Sequence, residues 1–451
     1  MMDILNFKDS LFTKGNDYGF SDMELYYQSG GKFSTKIYKG DVDSFSIANV
    51  GGVSFRGIYQ GKMGYAYTEK IDGASITFLL EEAKENALII DSEDNEIIFS
   101  GSKKYEEIEL YSEKLASVTN EEKINLLKKI ETICFSLSEK VTSVNYCLLE
   151  SVDTEKMIAN TKGLEKYEKG NVVYTYISVV VKDGEDIKTA SKVTLARDFA
   201  TFDATALATQ VVEEALSTLG ATSIASKEYP IILRNTAAAA LLRVFTSSFS
   251  ADNVHKGKSR LANKLGKSIA NSYVSIADDP YLKNGFMSRS FDSEGVATQR
   301  LQVVEKGVLK SYLHNLKTAV KDQVQPTGHG TKASYKGTMT IAPSNLFIEP
   351  GEKTYEQLVA SEKEAIVITD LQGLHSGANA ISGDFSLSAN GYVVKAGVIE
   401  RPVNQITIAG NFYTLLEEIE TVANDLDFGM PSGGYIGSPS LKIKRLAVSG
   451  E

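Results

Sequence analysis

Apolar and polar positions in the first half of the chain switch between a period of two and a period near 3.6. The stretches Met23–Gln28, Phe33–Tyr38 and Val53–Tyr67 alternate or are rich in aromatic and β-branched residues, the pattern of half-buried strands. Gly30-Gly31, Gly40-Asp41 and Gly61 interrupt them, so they predict a meander of short antiparallel strands. The period then lengthens. Ile76, Leu79, Leu80, Ala83 and Ala87 fall on one helical face, predicting a helix over 73–88. A charged segment, Asp91–Lys104, reads as a loop and a boundary. Beyond it Thr119 and Glu122 have capping-box spacing, and Ile124, Leu127, Ile130, Cys134 and Leu137 continue an apolar stripe, predicting a helix over 119–139. Strand texture returns over Ser143–Val181, with a hairpin signal at Asp183-Gly184. Asp203 is the expected N-cap of a helix over 204–219 that carries Leu207, Val211, Ala215 and Leu219. The order meander, helix, helix, meander, helix suggests a diverged repeat, although no residue-level identity supports it.

After Ala221 the texture changes. Tyr229–Leu233 reads as a short strand before an Ala-rich helix over 236–249. The remainder is rich in Gly, Ser and Thr with short β-like runs, and one broader helix is expected near Asn411–Asn424. The fold class expected is α+β with mainly antiparallel sheets. Three segments follow: 1–104 (meander and helix), 105–222 (a middle α+β unit) and 223–451 (a C-terminal β-rich domain).

Composition narrows the function classes. Of 451 residues, 42% are hydrophobic and 24% charged, ordinary for a chain that buries packed cores. The formal net charge of -10 argues against direct nucleic-acid binding, which needs clustered cations to displace phosphate counterions. Two cysteines, Cys134 and Cys147, fit a reduced compartment rather than a disulfide framework. No apolar run approaches the ~18 residues of a membrane-crossing helix, and no basic n-region opens the chain. The expectation is a cytoplasmic protein without a membrane contact.

Few residues offer conventional chemistry. Gly257-Lys258-Ser259 and Gly266-Lys267-Ser268 lack the upstream glycine of a phosphate loop, where Asp252 and Leu261 stand. Gly373-Leu374-His375-Ser376-Gly377 places its serine one position off a nucleophile elbow. The four histidines, His255, His314, His329 and His375, are too far apart for a helical metal pair; each reads as a surface or loop residue. Asp292 and Glu294 share one face if extended, as an acid-base pair would, but a turn-capping Asp and a surface Glu is the favoured reading. Ser382, Asp384 and Asn411 stand in Gly-rich loops, where short polar side chains commonly bond to backbone.

Several C-terminal motifs resemble, in order, the TldD/PmbA family, and most closely its PmbA (TldE) branch. They are FDSEGVATQ from Phe291, EKGVLKSYLHNLKTA from Glu305, PTGHG from Pro326, GLHSGANAISGDFSLSANGY from Gly373, RPVNQITIAGNFYTLL from Arg401, NDLDF from Asn424 and GSPSLKIKRLAVSG from Gly437. Met23–Leu88 fits the family's first segment more loosely. The resemblance implies a two-subunit bacterial protease acting on unstructured or modified peptides. In it a TldD-type subunit holds zinc through a His-Glu-x-x-x-His helix and a later Cys, and a PmbA-type subunit lacks those ligands. An older description of the family is modulator of DNA gyrase. Matching the flanking residues puts Arg243 and Val244 where the first His and the Glu would be, and Ser248 where the second His would be. Gly429–Gly434, where the thiolate would lie, holds no Cys. The implied reading is a subunit with no catalytic residue, metal or cofactor of its own. Its partner would be a zinc-bearing TldD-type homologue or a second copy of itself. Asp292, Glu294, His329, His375, Ser382, Asp384 and Asn411 are then candidates for a peptide groove or an interface. The alternatives are a homodimeric peptide- or protein-binding regulator and, more remotely, metal-independent hydrolysis by Asp292, Glu294 or Asp384.

Overall fold

A computed structural model describes residues 2–89 and 97–451. The first part of the predicted 91–104 loop lies outside them. Residues 97–104 belong to no helix or strand, as expected.

The chain opens with a helix, α1 (Ile4–Asp17), which the strand-like pattern downstream conceals. Asp3 caps it by accepting from the amides of Leu5 and Asn6, and Phe7 and Leu11 bury its inner face. Three antiparallel strands follow, β1 (Phe20–Tyr38), β2 (Asp41–Tyr59) and β3 (Lys62–Thr68), then α2 (Gly73–Ile89). The turns at Gly40 and Gly61 are as expected, but Gly30-Gly31 is not a break. β1 runs straight through it, because a Cβ on Gly30 would stand 2.5 Å from the Asp153 carbonyl oxygen of the neighbouring strand. Here glycine marks a close approach of two backbones instead of a turn.

After a single turn, α3 (Glu113–Ala116), the middle segment supplies α4 (Asn120–Leu137), β4 (Val141–Asn160), β5 (Glu165–Asp183), β6 (Asp186–Ala196) and α5 (Ala204–Ser217). The Thr119–Glu122 capping box is present in full, and Asp203 caps α5 through the amides of Thr205 and Ala206. The six strands form one sheet in the order β3-β2-β1-β4-β5-β6. Each half runs helix, three strands, helix, and the halves meet where β1 pairs antiparallel with β4. That is the arrangement expected of a diverged repeat. One face of the sheet carries the helices: Phe55 and Val53 pack with α1 and α2, Val173 and Ile177 with α4 and α5. Cys134 and Cys147 are buried in the second of these cores. Desolvation raises both thiols, Cys134 to about 12, so neither is a ready nucleophile.

The C-terminal part begins with β7 (Lys227–Leu233), α6 (Asn235–Phe245) and α7 (Ala251–His255). Then come β8 (Ile276–Asp278), β9 (Leu301–Glu305), β10 (Val308–Leu309), α8 (Leu316–Asp322), β11 (Gly330–Thr331), β12 (Thr340–Ile341), β13 (Asn345–Ile348) and α9 (Tyr355–Ala360). The chain closes with β14 (Glu364–Gln372), β15 (Asp384–Lys395), β16 (Val398–Asn411), α10 (Phe412–Glu417), β17 (Ile419–Val422), β18 (Asp427–Phe428), β19 (Tyr435–Ser438) and β20 (Leu441–Ser449). The helix expected over 411–424 therefore ends at Glu417. Ile419 and Val422 turn inward as buried strand residues opposite β20 instead.

Two six-stranded sheets result, β16-β15-β14-β7-β20-β17 and β10-β9-β8-β13-β19-β18. Helix α6 packs against β14 of the first and against β18 and β19 of the second. Its apolar positions Ala238, Leu241, Leu242 and Phe245 follow helical spacing and are buried in the largest core of the molecule. That face commits the helix to the core and leaves Thr236 and Arg243, seven residues apart, on another face.

Candidate functional site: a cleft between two sheet edges

β6 is the last strand of the N-terminal sheet, and β18 is the last strand of a C-terminal sheet. Among the described residues each has a strand neighbour on one side only. Both strands line a cavity of about 540 Å³, β6 through Ser191–Leu195 and β18 with its continuation through Asp427–Met430. Phe286, Phe428 and Tyr435 form an aromatic wall. Phe428 stacks on Tyr435 at 4.4 Å, Phe286 meets Tyr435 edge-on at 5.5 Å, and the Arg197 guanidinium lies 5.0 Å over the Phe286 ring. Thr236 of α6 also lines the cavity, as do Gln210 and the α5 cap Asp203. Main-chain groups at a strand edge bind an extended chain whatever its side chains are.

Arg243 stands behind the β18 wall. Its Nη2 donates to the Met430 carbonyl oxygen at 2.5 Å and lies against Gly429, where a Cβ would collide with it at 2.5 Å. The guanidinium is half-buried, its Nε has no partner, and burial holds its pKa below the usual value. Val244 packs against the core. Ser248 is buried, with its hydroxyl 3.0 Å from the Tyr413 hydroxyl and donating to the Ala380 carbonyl oxygen at 3.3 Å. The stretch 429–434, expected from the resemblance to face this helix, does so. These side chains do not fit a zinc ion: a guanidinium, an isopropyl group and a buried serine hydroxyl offer none of the usual donors. Among the described residues no cluster of three or more His, Cys, Asp or Glu has a geometry suited to a metal.

The other residues singled out in the sequence fall into separate places. Asp292 does cap a turn, its Oδ1 accepting from the amides of Glu294 at 2.8 Å and Val296 at 3.0 Å. Glu294, however, is not a surface residue. It is 4% exposed and accepts from the Leu316 amide at 2.8 Å. Both carboxylates converge on Gly330, whose amide donates to Asp292 Oδ2 at 2.8 Å. A Cβ there would meet Glu294 Oε2 at 2.6 Å and Asp292 Oδ2 at 3.0 Å. Burial, and then the Asp292 charge, push the Glu294 carboxyl up to about 8; burial also raises Asp292.

This pair sits in the joint between the helix-free face of the N-terminal sheet and the C-terminal part. There Tyr105 donates to the Gly295 carbonyl oxygen at 2.7 Å, the Ser290 amide to Glu168 at 3.0 Å and Lys332 to Ser54 at 3.2 Å. The buried Arg56–Glu24 pair, 2.6 Å apart, lies on the same face. Asp292 and Glu294 therefore tie residues 292–330 of the C-terminal part to one another beside that joint.

His329 and His314 are also buried, contrary to the surface reading. His329 bonds Asp278 through Nε2 at 2.9 Å and Thr327 through Nδ1 at 2.8 Å, while Ser344 donates to the same Asp278 oxygen at 2.5 Å. Burial pushes Asp278 up, but His329 and Ser344 outweigh it and its pKa falls below the ordinary value. His375 is exposed in the turn after β14. Ser382, Asp384 and Asn411 do meet, at the paired ends of β15 and β16. Asn411 Nδ2 donates to the Ser382 carbonyl oxygen at 2.9 Å and to Asp384 Oδ1 at 2.8 Å, while its Oδ1 accepts from the Tyr413 amide at 3.1 Å as the cap of α10. Those contacts use the group as a loop clamp.

Three family models for PmbA/TldA metallopeptidases match consecutive stretches: domain 1 over residues 23–87, the central domain over 113–219 and the C-terminal domain over 226–450. The chain belongs to the PmbA/TldD metallopeptidase family. Among its relatives, a metalloprotease PmbA homolog of Buchnera aphidicola is 28% identical over 346 residues, 76% of this chain and 73% of that one. A metalloprotease TldD homolog of Haemophilus influenzae is 27% identical over 99% of this chain and 96% of its own. A crystal structure from Thermotoga maritima, described as a candidate modulator of a DNA gyrase, superposes with a TM-score of 0.91 at 34% identity, covering 99% and 100% of the two chains. TldE from Thermococcus kodakarensis has the same fold, with a TM-score of 0.90 at 20% identity over 98% of this chain and 100% of its own.

The cleft residues were not visible in the sequence. Ser191–Leu195 looks like any other strand, and Phe286 is far from Phe428 and Tyr435 in the chain. NDLDF, which runs into β18, and the stretch from Gly429 stand out in the sequence only by resemblance, and Asp203 and Leu207 only as helix residues.

Proposed function

We propose that this PmbA/TldD-family chain is the metal-free, PmbA-type subunit of a two-part metallopeptidase, and that it holds an unstructured peptide in the β6–β18 cleft. The observation that carries this is the cleft itself: two outermost strands with an aromatic wall, beside a helix and its continuation that have Arg243, Val244 and Ser248 where the resemblance would need zinc ligands and the general base. Zinc in such enzymes polarises the scissile carbonyl and lowers the pKa of bound water. The residues here supply neither effect, so hydrolysis depends on a zinc-bearing TldD-type homologue, and this chain contributes main-chain capture of the substrate.

The test is reconstitution. Mixed with a TldD-type homologue from the same organism, the chain should co-elute with it and raise cleavage of an unstructured peptide, while the chain alone cleaves nothing. Chelator-sensitive peptidase activity from this chain alone would sink the reading. The net charge of -10 supports an indirect route for any effect on gyrase, such as turnover of a peptide that acts on it.

A further inference from the structure

A second cavity, of about 640 Å³, is lined by residues 106–110 together with Arg197, Leu282, Lys283 and Ser288. It shares no lining residue with the β6–β18 cleft. The two adjoin where the Arg197 guanidinium of the second lies 5.0 Å over the Phe286 ring of the first. Residues 106–110 belong to a strap held at both ends. At one end the Tyr105 hydroxyl accepts from the Ser102 amide at 2.8 Å and donates to the Gly295 carbonyl oxygen at 2.7 Å. At the other the Leu110 carbonyl oxygen accepts from the Asn171 amide at 3.1 Å. Between them, among the described residues, the main-chain N–H and C=O groups of Glu106, Glu107, Ile108 and Glu109 have no hydrogen-bond partner. Unpaired main chain beside a cavity can bind an extended peptide of any sequence.

Arg197 is short of partners as well. Its Nη2 donates to the Gly285 carbonyl oxygen at 3.1 Å, its Nε is buried with no partner, and no carboxylate lies within ion-pair distance among the described residues. Glu168 acts on it only at longer range and already accepts from the Ser290 amide at 3.0 Å. A half-buried guanidinium without an anion is costly, and its natural complements are carboxylate and phosphate.

We infer that this second cavity takes the carboxyl end of a peptide, with the terminal carboxylate on Arg197 and the preceding main chain along residues 106–109. Phosphate would satisfy the arginine but offers the strap no N–H groups. The rim also selects. Glu106 is paired with Lys104, whereas Glu107 and Glu109 are exposed and have no ion-pair partner among the described residues. They oppose any negative charge beyond the single one that Arg197 neutralises, so a neutral or basic peptide end fits and an acidic one does not. Because the lining residues are separate, the inference does not rest on peptide capture in the cleft.

The test is anisotropy of the full chain with a short amino-labelled peptide of alanine and lysine, made as the free acid and as the C-terminal amide. The acid should bind roughly tenfold more tightly, the effect of one charge-assisted hydrogen bond. Arg197→Met, which keeps a stem over Phe286, should bring the acid down to the affinity of the amide, and Arg197→Lys should restore part of the difference. Ile108→Pro removes one strap N–H and should weaken acid and amide alike. An amide carrying an internal glutamate should bind no better than the plain amide. Equal affinities of acid and amide in the unaltered chain would overturn the inference and leave the cleft reading untouched. So would a preference for the acid that survives Arg197→Met, or a glutamate-bearing amide that binds as tightly as the acid. No binding of either peptide would overturn it too.

Discussion

Two regions of the C-terminal part look alike in the sequence and differ in what they do. The joint around Asp292, Glu294, Asp278 and His329 is dense in titratable groups. The strip formed by α6 and β18 has one half-buried arginine, one carboxylate (Asp427), one amide (Asn235) and otherwise apolar or hydroxyl side chains. Chemical richness alone would select the joint. The carboxylates of Asp292 and Glu294 are nonetheless spent on backbone amides at 2.8 to 3.0 Å, and that of Asp278 on His329 and Ser344. The poorer strip borders the β6–β18 cleft, where the Phe428 amide donates to Asp427 and the Met430 carbonyl oxygen accepts from Arg243. A cavity between two sheets, and not a density of ionisable side chains, is therefore the basis of the binding site proposed above.

The contrast can be broken by substitution. The largest expected effect is Asp292→Ala, which strips three amides of their acceptor in a dry site. It should lower unfolding free energy by about 3 kcal/mol or more, measured by urea titration, while peptide affinity of the remaining folded protein stays the same. A loss of affinity at constant stability would move Asp292 from the joint to the site.

Glu294→Gln sharpens the same point through pH. The folded carboxyl titrates near 8 against an ordinary 4.5, so the folded state holds the proton more tightly than the unfolded chain. The stability this provides is complete below about pH 4.5, falls as pH rises towards 8, and is level beyond. Glutamine stays neutral throughout and its N–H is placed to donate to Asp292. The variant should match the original at pH 5 and exceed it at pH 9 by on the order of 2 kcal/mol. Equal pH profiles would show that Glu294 is ionised in the fold.

The smallest expected effect on stability is that of Arg243→Met. The stem keeps its packing, a desolvated charge without a carboxylate partner is removed, and one bond to Met430 is lost. Thermal unfolding should shift by less than the equivalent of about 1 kcal/mol. Peptide affinity should fall by a few-fold as the β18 wall loosens. A large loss of stability with unchanged affinity would make Arg243 a purely structural residue.

Much of the fold was legible in the sequence because its signals are local. Thr119 with Glu122 and Asp203 with its following turn announce helix starts within four residues, and Gly40, Gly61 and Asp183-Gly184 mark turns the same way. Gly30-Gly31 misled because the reason for those glycines is the Asp153 carbonyl on a strand more than a hundred residues away. Glu294 misled for a similar reason: its burial is set by Leu316 and Gly330, which no short window contains. Arg243 and Val244 of α6, and Ser248 just beyond it, were found by resemblance alone, and the β6–β18 cleft required the tertiary structure.

The most direct test of the central claim is the affinity of the isolated chain for a fluorescent unstructured peptide, measured by anisotropy. It should be compared with the same peptide N-methylated at alternate amides, each with and without a chelator. Capture between two strand edges predicts binding that the chelator leaves unchanged and N-methylation abolishes, with the peptide recovered intact. Binding that survives N-methylation, or disappears with the chelator, would contradict it.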